Sequence, residues 1–469
     1  MTISGDDGLI YAPQSKIVVN ESMGTVGGGY SFYQDGNQDT GMFSDADGEL
    51  MFYANNDEII RISQPNQTVQ VNLPIYLNNG SVIKDTGSGA IAFGYNAAGD
   101  DNQGSHAIAI GADAGAIYQN ISAVAIGEGA GNSNQSFSAV AVGRWAGEQN
   151  QGWDATAVGR IAGRYNQGDY SSAFGWHAGQ NNQGSHAVAI GDAAGDTSQN
   201  DNAVAIGSQA GNNTQGWSAV AVGVRSGYSN QSAGAVALGS SAGRVSQGIS
   251  AVAVGRYAGN GSQGDYSVAV GRYAGGSTQS TNAVAVGHAS GQYSQSQYAV
   301  AMGWQAGQSS QGTSAVAVGV NAGSNTQGNE AVAIGNSAGY SNQGTYAVAV
   351  GSGSGGSYQE TGSIAIGGNA GLGAHQYSIS LGYQSGYANT SALSDYAIAI
   401  GYRAGYESGV GNSIVLNASG SDLSAASAGL YINPVRYTET QDAVDDGIMF
   451  YNQATKEVRY SYILDGGSF

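Results

Sequence analysis

The residues able to do chemistry are few and scattered. Five histidines, His106, His177, His186, His288 and His375, lie far apart in the chain, and no zinc-ligand spacing connects them. His106 and His186 share a repeat column but are five coils, about 24 Å, apart. Three copies of one histidine could meet a metal on a threefold axis, but a surface histidine is the favoured reading. Asp45-Ala-Asp47-Gly48 begins like a calcium loop and then lacks the further acidic ligands such a loop needs, so it reads as a solvated turn. The acids Glu128, Glu148, Asp154, Asp169 and Asp192 are scattered over coil positions, which argues against a fixed carboxylate pair for glycoside hydrolysis. No Ser-His-Asp arrangement or phosphate-binding glycine loop is present, and there is no Cys for thiolate or redox chemistry. The expectation is a protein that is no enzyme and needs no metal or cofactor.

What recurs with chemical meaning is an amide. Gln119, Gln135, Gln151, Gln167, Gln183, Gln199, Gln215 and Gln231 follow one another every 16 residues, and Gln247, Gln263, Gln279, Gln295, Gln311, Gln327, Gln343 and Gln359 continue the series. Stacked at strand spacing, such side chains form an uncharged ladder, as Gln and Asn do in cross-β assemblies. A carboxylate column would instead stack like charges at about 1 kcal/mol per contact even in water-like surroundings. A second set, Arg144-Trp145, Arg256-Tyr257 and Arg272-Tyr273, offers planar cations beside aromatic rings that could stack on a glycan or pair with an anion. As side chains whose stems cover a turn they need no ligand, and that is the simpler account.

These residues sit in a repeat of the form AVAVGxxAGxxxQGxx. Its first glycine recurs from Gly111 to Gly367 every 16 residues, with irregular copies ending at Gly94, Gly382 and Gly401, which makes 20 copies. Alternating Ala and Val before a Gly reads as a short strand entering a turn. Two short strands and two turns then make one coil. The class expected is all-β, a solenoid of about 20 sixteen-residue coils, with coils about 4.8 Å apart and a length of about 95 Å. In Ala139-Val140-Ala141-Val142 the alanines point one way and the valines the other. A strand apolar on both faces needs cover on both; the coil's narrow interior covers one, and the other is expected to pack on parallel copies of the same chain.

Composition agrees. There are 78 Gly but only 4 Pro, and just 10% of residues are charged, which excludes collagen and argues against disorder. The net charge of −19 argues against a nucleic-acid partner. No apolar run is long enough to cross a bilayer as a helix, and the start, MTISGDDGLIYAPQSK, does not read as a secretory signal. Three regions are expected: an attachment or capping region over 1–85, the shaft over 86–405 and a hairpin cap or tip over 406–469. The shaft carries 14 acids and 8 bases, whereas the flanks carry 19 and 6, so the ends hold most of the negative charge. Hairpins are expected at Gly48–Tyr53 with Glu58–Ile62 and at Ile448–Tyr451 with Val458–Ser461. The 19-residue copy, with Ala388 to Asp395 as its extra segment, is expected to protrude as a loop that could carry binding.

The AVAIGxxAG and AVAVGxxAG copies over 90–405 resemble the head repeats of trimeric autotransporter adhesins, and this resemblance implies a left-handed parallel β-roll and a trimer. The unit here is somewhat longer, with an AG corner and a Gln column. Asp39-Thr-Gly-Met-Phe-Ser-Asp-Ala-Asp-Gly48, Gly429-Leu-Tyr-Ile-Asn-Pro-Val-Arg436 and Asp446-Gly-Ile-Met-Phe-Tyr-Asn-Gln-Ala-Thr-Lys456 resemble segments of tail-fibre and virion structural proteins of tailed phages, notably of cyanobacteria. Together they imply a homotrimeric tail fibre, assembled in the host cytoplasm and found in the virion. One end would join other virion proteins, and the fibre would contact a host glycan or protein without entering a membrane. A bacterial surface adhesin and a head-decorating fibre are the alternatives; an ice-binding solenoid would want a regular Thr face that the columns lack.

Overall fold

The computed structural model describes residues 89–99, 103–387, 394–407 and 410–435 in full, together with strands between residues 2 and 85 and a hairpin between 448 and 461. The chain divides into two units, Met1–Ser337 and Ala338–Phe469. Every element among the described residues is β-strand or turn, and no helix is long and apolar enough to cross a membrane. Asp45-Ala-Asp47-Gly48 and residues 388–393 of the expected loop lie outside the described residues.

In the first unit the repeat is a parallel β-solenoid. Each three-residue strand of Ala-flanked β-branched residues pairs in register with the equivalent strand one turn on, as Val140–Val142 does with Thr156–Val158. Sixteen such strands, from Ile91–Gly94 to Val332–Ile334, form one ladder. A second ladder runs from Ile117–Gln119 to Asn325–Gln327 and is built from the half-coil that ends in Gln. Entry is antiparallel: Val82–Asp85 pairs with Ile91–Gly94 on one side and with Ile75–Tyr76 on the other. Eight earlier strands between residues 2 and 71 pair antiparallel in chain order, including Leu50–Ala54 with Asp57–Ser63.

In the second unit the parallel ladder starts at Val348–Val350 and runs through Ile364–Ile366, Ile379–Leu381 and Ile398–Gly401. It then continues past residue 405, through Ser413–Asn417 to Gly429–Asn433. The AVAVG signature is gone by then, but Ser413, Val415 and Asn417 still alternate inward, which is all that pairing requires. Ile448–Asn452 and Glu457–Ser461 form an antiparallel hairpin.

The solenoid interior is thin. Ala139, Ala141 and Ala146 are buried in one coil, and the same three columns are Ala or Ser nearly throughout. Where Ser replaces Ala beside a turn, its hydroxyl donates to a carbonyl three residues back, as Ser171 does to Gly168 O at 2.7 Å, whereas Ser380, in the strand column, has a buried hydroxyl without a partner. The turns are tighter than glycine alone explains. Left-handed φ falls on Ser138, Trp145 and Asn150 as well as on Gly147, so three non-glycine columns carry it. Glycine is obligatory at another column: Gly159 has φ +128, and an added Cβ would lie 2.5 Å from Gly175 O of the next coil.

Candidate interaction surface

The Gln column points inward. Gln119 to Gln359 are almost wholly buried and are the largest side chains of the core. Most of these amides do three things. Gln135 Nε2 donates to Val124 O at 2.8 Å, to Ala139 O at 3.2 Å and to Gln151 Oε1 at 3.0 Å, so it joins both walls of its coil and the coil above. Buried amides are tolerated because they are satisfied. The side-chain run starts one coil before the regular series, with Gln103 Nε2 donating to Gln119 Oε1 at 3.1 Å. It is unbroken as far as Gln247. It resumes from Gln263 to Gln327. Between the two runs Gln263 Oε1 is buried without a partner. In the second unit Gln343 donates to Gln359, and the next coil then places Ala374 at the Gln position.

The outward face of the same strands is apolar. Val124, Val140, Val188 and Val204 form one half-buried column; beside it Ile126, Ile190, Ile206, Leu238 and Met302 are exposed large hydrophobics. Across the coils from 124 to 334 only Thr156 and Ser172 interrupt the first column, and among the described residues the first column stays half-buried and much of the second is exposed. Ser172, the smallest residue of the first column, is in the same strand as Phe174, the largest of the second. The two faces of the AVAV strand thus separate cleanly, Ala to the interior and branched or larger residues outside.

The Arg–aromatic pairs occupy one corner. The Arg144 guanidinium lies 3.8 Å over the Trp145 ring, and its Nε is 3.0 Å from Glu128 of the preceding coil. Arg256 and Arg272 each sit 4.9 Å over their neighbours Tyr257 and Tyr273, whose rings stack at 5.1 Å and 7°. His288 meets Tyr273 edge-on at 6.3 Å. The Arg144 group and the Tyr257–Tyr273 group are separate, seven coils apart along the repeat. Each of these three cations has an aromatic partner from its own coil.

Three further tyrosine stacks are found in the second unit: Tyr377 on Tyr396, Tyr383 on Tyr402 and Tyr387 on Tyr406, at 5.6–5.8 Å. They were hidden in the sequence by the irregular 19-residue spacing. Aligning Gly382 with Gly401 would have exposed them, because the tyrosines then coincide. Two other histidines make contacts nearby: His186 stacks on Tyr170 at 5.0 Å, and His177 Nδ1 is 2.6 Å from Gln180 Oε1.

By fold and faces the chain is an all-β parallel solenoid protein with an Ala–Gln interior and, among the described residues, an exposed apolar flank. Compared with known proteins, the chain matches no family model, no curated protein and no solved structure.

Proposed function

We propose that this chain is the subunit of a homotrimeric fibre, its solenoids left-handed and parallel with their Val/Ile columns turned toward one another, and that the fibre belongs to a phage virion and serves host attachment. The observation that carries the assembly is the outward apolar face, kept through coil after coil and left partly or largely exposed among the described residues. A patch of that extent is far beyond the scattered hydrophobics of a monomer surface and is characteristic of an interface. Ser172 beside Phe174 also supports a packed partner, since volume compensation matters only where something fills the space. The virion assignment rests on the flanking segments that resemble tail-fibre proteins. In this reading one end joins other virion proteins, the other is distal, and exposed aromatics such as Trp153 and Trp217 offer stacking surfaces for a host glycan.

Sedimentation of the full chain tests the assembly. It should run at three times its monomer mass. Val252→Lys, Val254→Lys, Val268→Lys and Val270→Lys together should give a monomer with an unchanged β-sheet CD spectrum, because these side chains leave the coil interior untouched. A wild-type monomer overturns the reading. Immuno-gold labelling against the C-terminal region should mark the distal ends of fibres on virions. Recovery in bacterial cell envelopes would select a surface adhesin instead.

A further inference from the structure

We infer that Glu360, His375 and Asp395 form a binding site for a divalent transition-metal ion of the zinc class, which ties three successive coils together in the second unit. The side chains come from consecutive turns and offer one ligand atom each, Glu360 Oε1, His375 Nδ1 and Asp395 Oδ1, all within 4.8 Å of one another. His375 Nδ1 lies 3.6 Å from the Glu360 oxygen and 3.7 Å from the Asp395 oxygen. Both are beyond hydrogen-bond reach. They are instead close to the separation of two atoms sharing one tetrahedral ion, about 3.4 Å for ligands at about 2.0–2.1 Å. Two carboxylates facing one imidazole are also poorly matched by themselves, since a single imidazolium neutralises only one. A doubly charged ion neutralises both.

The repeat supplies an independent reason. The position after the Gln is occupied by Asn, Ser or Gly in fifteen successive regular coils, from Asn120, Ser136 and Gly152 to Gly344. At Gly152 a Cβ would lie 2.6 Å from the next coil's backbone, so the column is kept small. Only at its end does it change, to Glu360 and then His375, both metal-ligand types. This is also where the amide ladder stops. Ala374 stands where the next Gln would be, although its carbonyl still accepts from Glu360 N at 2.8 Å. A metal bridge beside this gap restores a side-chain tie between coils that have lost their rung.

The donor set chooses the ion. Calcium takes six to eight oxygens and magnesium retains its water, whereas one imidazole with two carboxylates suits zinc with a water in the fourth position. The side chains are 44%, 44% and 54% exposed, which leaves an open approach for that water. The inference does not depend on the trimer or on the fibre's biological role.

The test uses the full chain, stripped with chelator and titrated with zinc by calorimetry, and with cobalt followed by visible absorption. One ion per chain with a tetrahedral cobalt spectrum is expected. His375→Ala should weaken zinc binding at least tenfold, and so should the near-isosteric pair Glu360→Gln with Asp395→Asn, whose CD spectrum should match the wild type. His186→Ala, which alters a histidine stacked on Tyr170, should leave binding unchanged. No zinc binding, equal binding by all variants, or preference for calcium over zinc overturns the proposal.

Discussion

At the residue scale the buried glutamines set the behaviour. Gln215 donates to Val204 O, Ala219 O and Gln231 Oε1 and accepts from Gln199. Gln215→Ala strands several of these groups in a dry interior and should destabilise by at least about 2 kcal/mol in chemical denaturation. Gln215→Glu keeps the shape but removes the donors and buries a carboxyl group. Its folded pKa is then raised above the unfolded value of about 4.3. A carboxyl raised in this way is best tolerated below the unfolded pKa, and stability falls as pH rises through the folded one. Melting of Gln215→Glu should therefore approach wild type in acid and fall away toward neutrality. Asp196 is the native counterpart. Burial first, and neighbouring Asp192 after it, raise its pKa against the opposing pull of His177 and a hydrogen bond from Asn212, and its Oδ1 has no hydrogen-bond partner. Asp196→Asn should raise the melting temperature at neutral pH, with the gain vanishing below the unfolded carboxyl pKa of about 3.9. The Gln column was legible in the sequence because identical residues at a fixed interval can only stack. That it faces inward was not, because nothing in the interval says which side of the wall an amide takes.

At the scale of one coil, glycine and glutamine are coupled. A Cβ at Gly211, which has φ +50, would lie 2.7 Å from Gln215 Oε1. Gly211→Ala should cost about 1–3 kcal/mol through the strained backbone and the displaced amide. With Gln215→Ala already present the clashing atom is gone, so the double variant should be less destabilised than the sum of the two, as a double-mutant cycle would measure. The coil from Gln247 to Gln263 is the weak one. Its side-chain amide bond is missing, and its second strand is the first of three shortened to two residues, Ser262–Gln263. Amide hydrogen exchange should be faster around residues 260–263 than in the coils around Gln183, and the reverse order would contradict this account. The AVAV strand and its two-sided pattern could be read from alternation alone. The half-coil ending in Gln could not, because left-handed residues such as Asn150 and Asn166 interrupt each strand's extended backbone and periodicity has no symbol for that. The two turns beyond residue 405 were missed for a related reason: the pairing persists after the motif that announced it has ended.

At the scale of the molecule, strands pair with partners one turn away, so stability is a chain of nearest-neighbour terms. A damaged rung should open locally and leave remote coils protected. Charge plays little part in holding the coils together, since the ladder is uncharged and the shaft is far less acidic than the flanks. Melting of the coils should shift little between low salt and about 1 M, where exposed ion pairs such as Arg144–Glu128 are screened. The amide column has one more consequence. Backbone hydrogen bonds between turns run both ways: Val140 N donates forward to Ala155 O, and Gly143 N donates backward to Ile126 O. The glutamine side chains all donate forward, from Gln103 to Gln247 and again from Gln263 to Gln327. Their dipoles add where those of the backbone largely cancel, much as peptide dipoles sum along a helix. The first unit therefore carries a permanent electric moment along its column, with an oxygen-rich pole toward residue 103 and a hydrogen-rich pole toward residue 327. In an electric field such molecules would align with a sense as well as an axis.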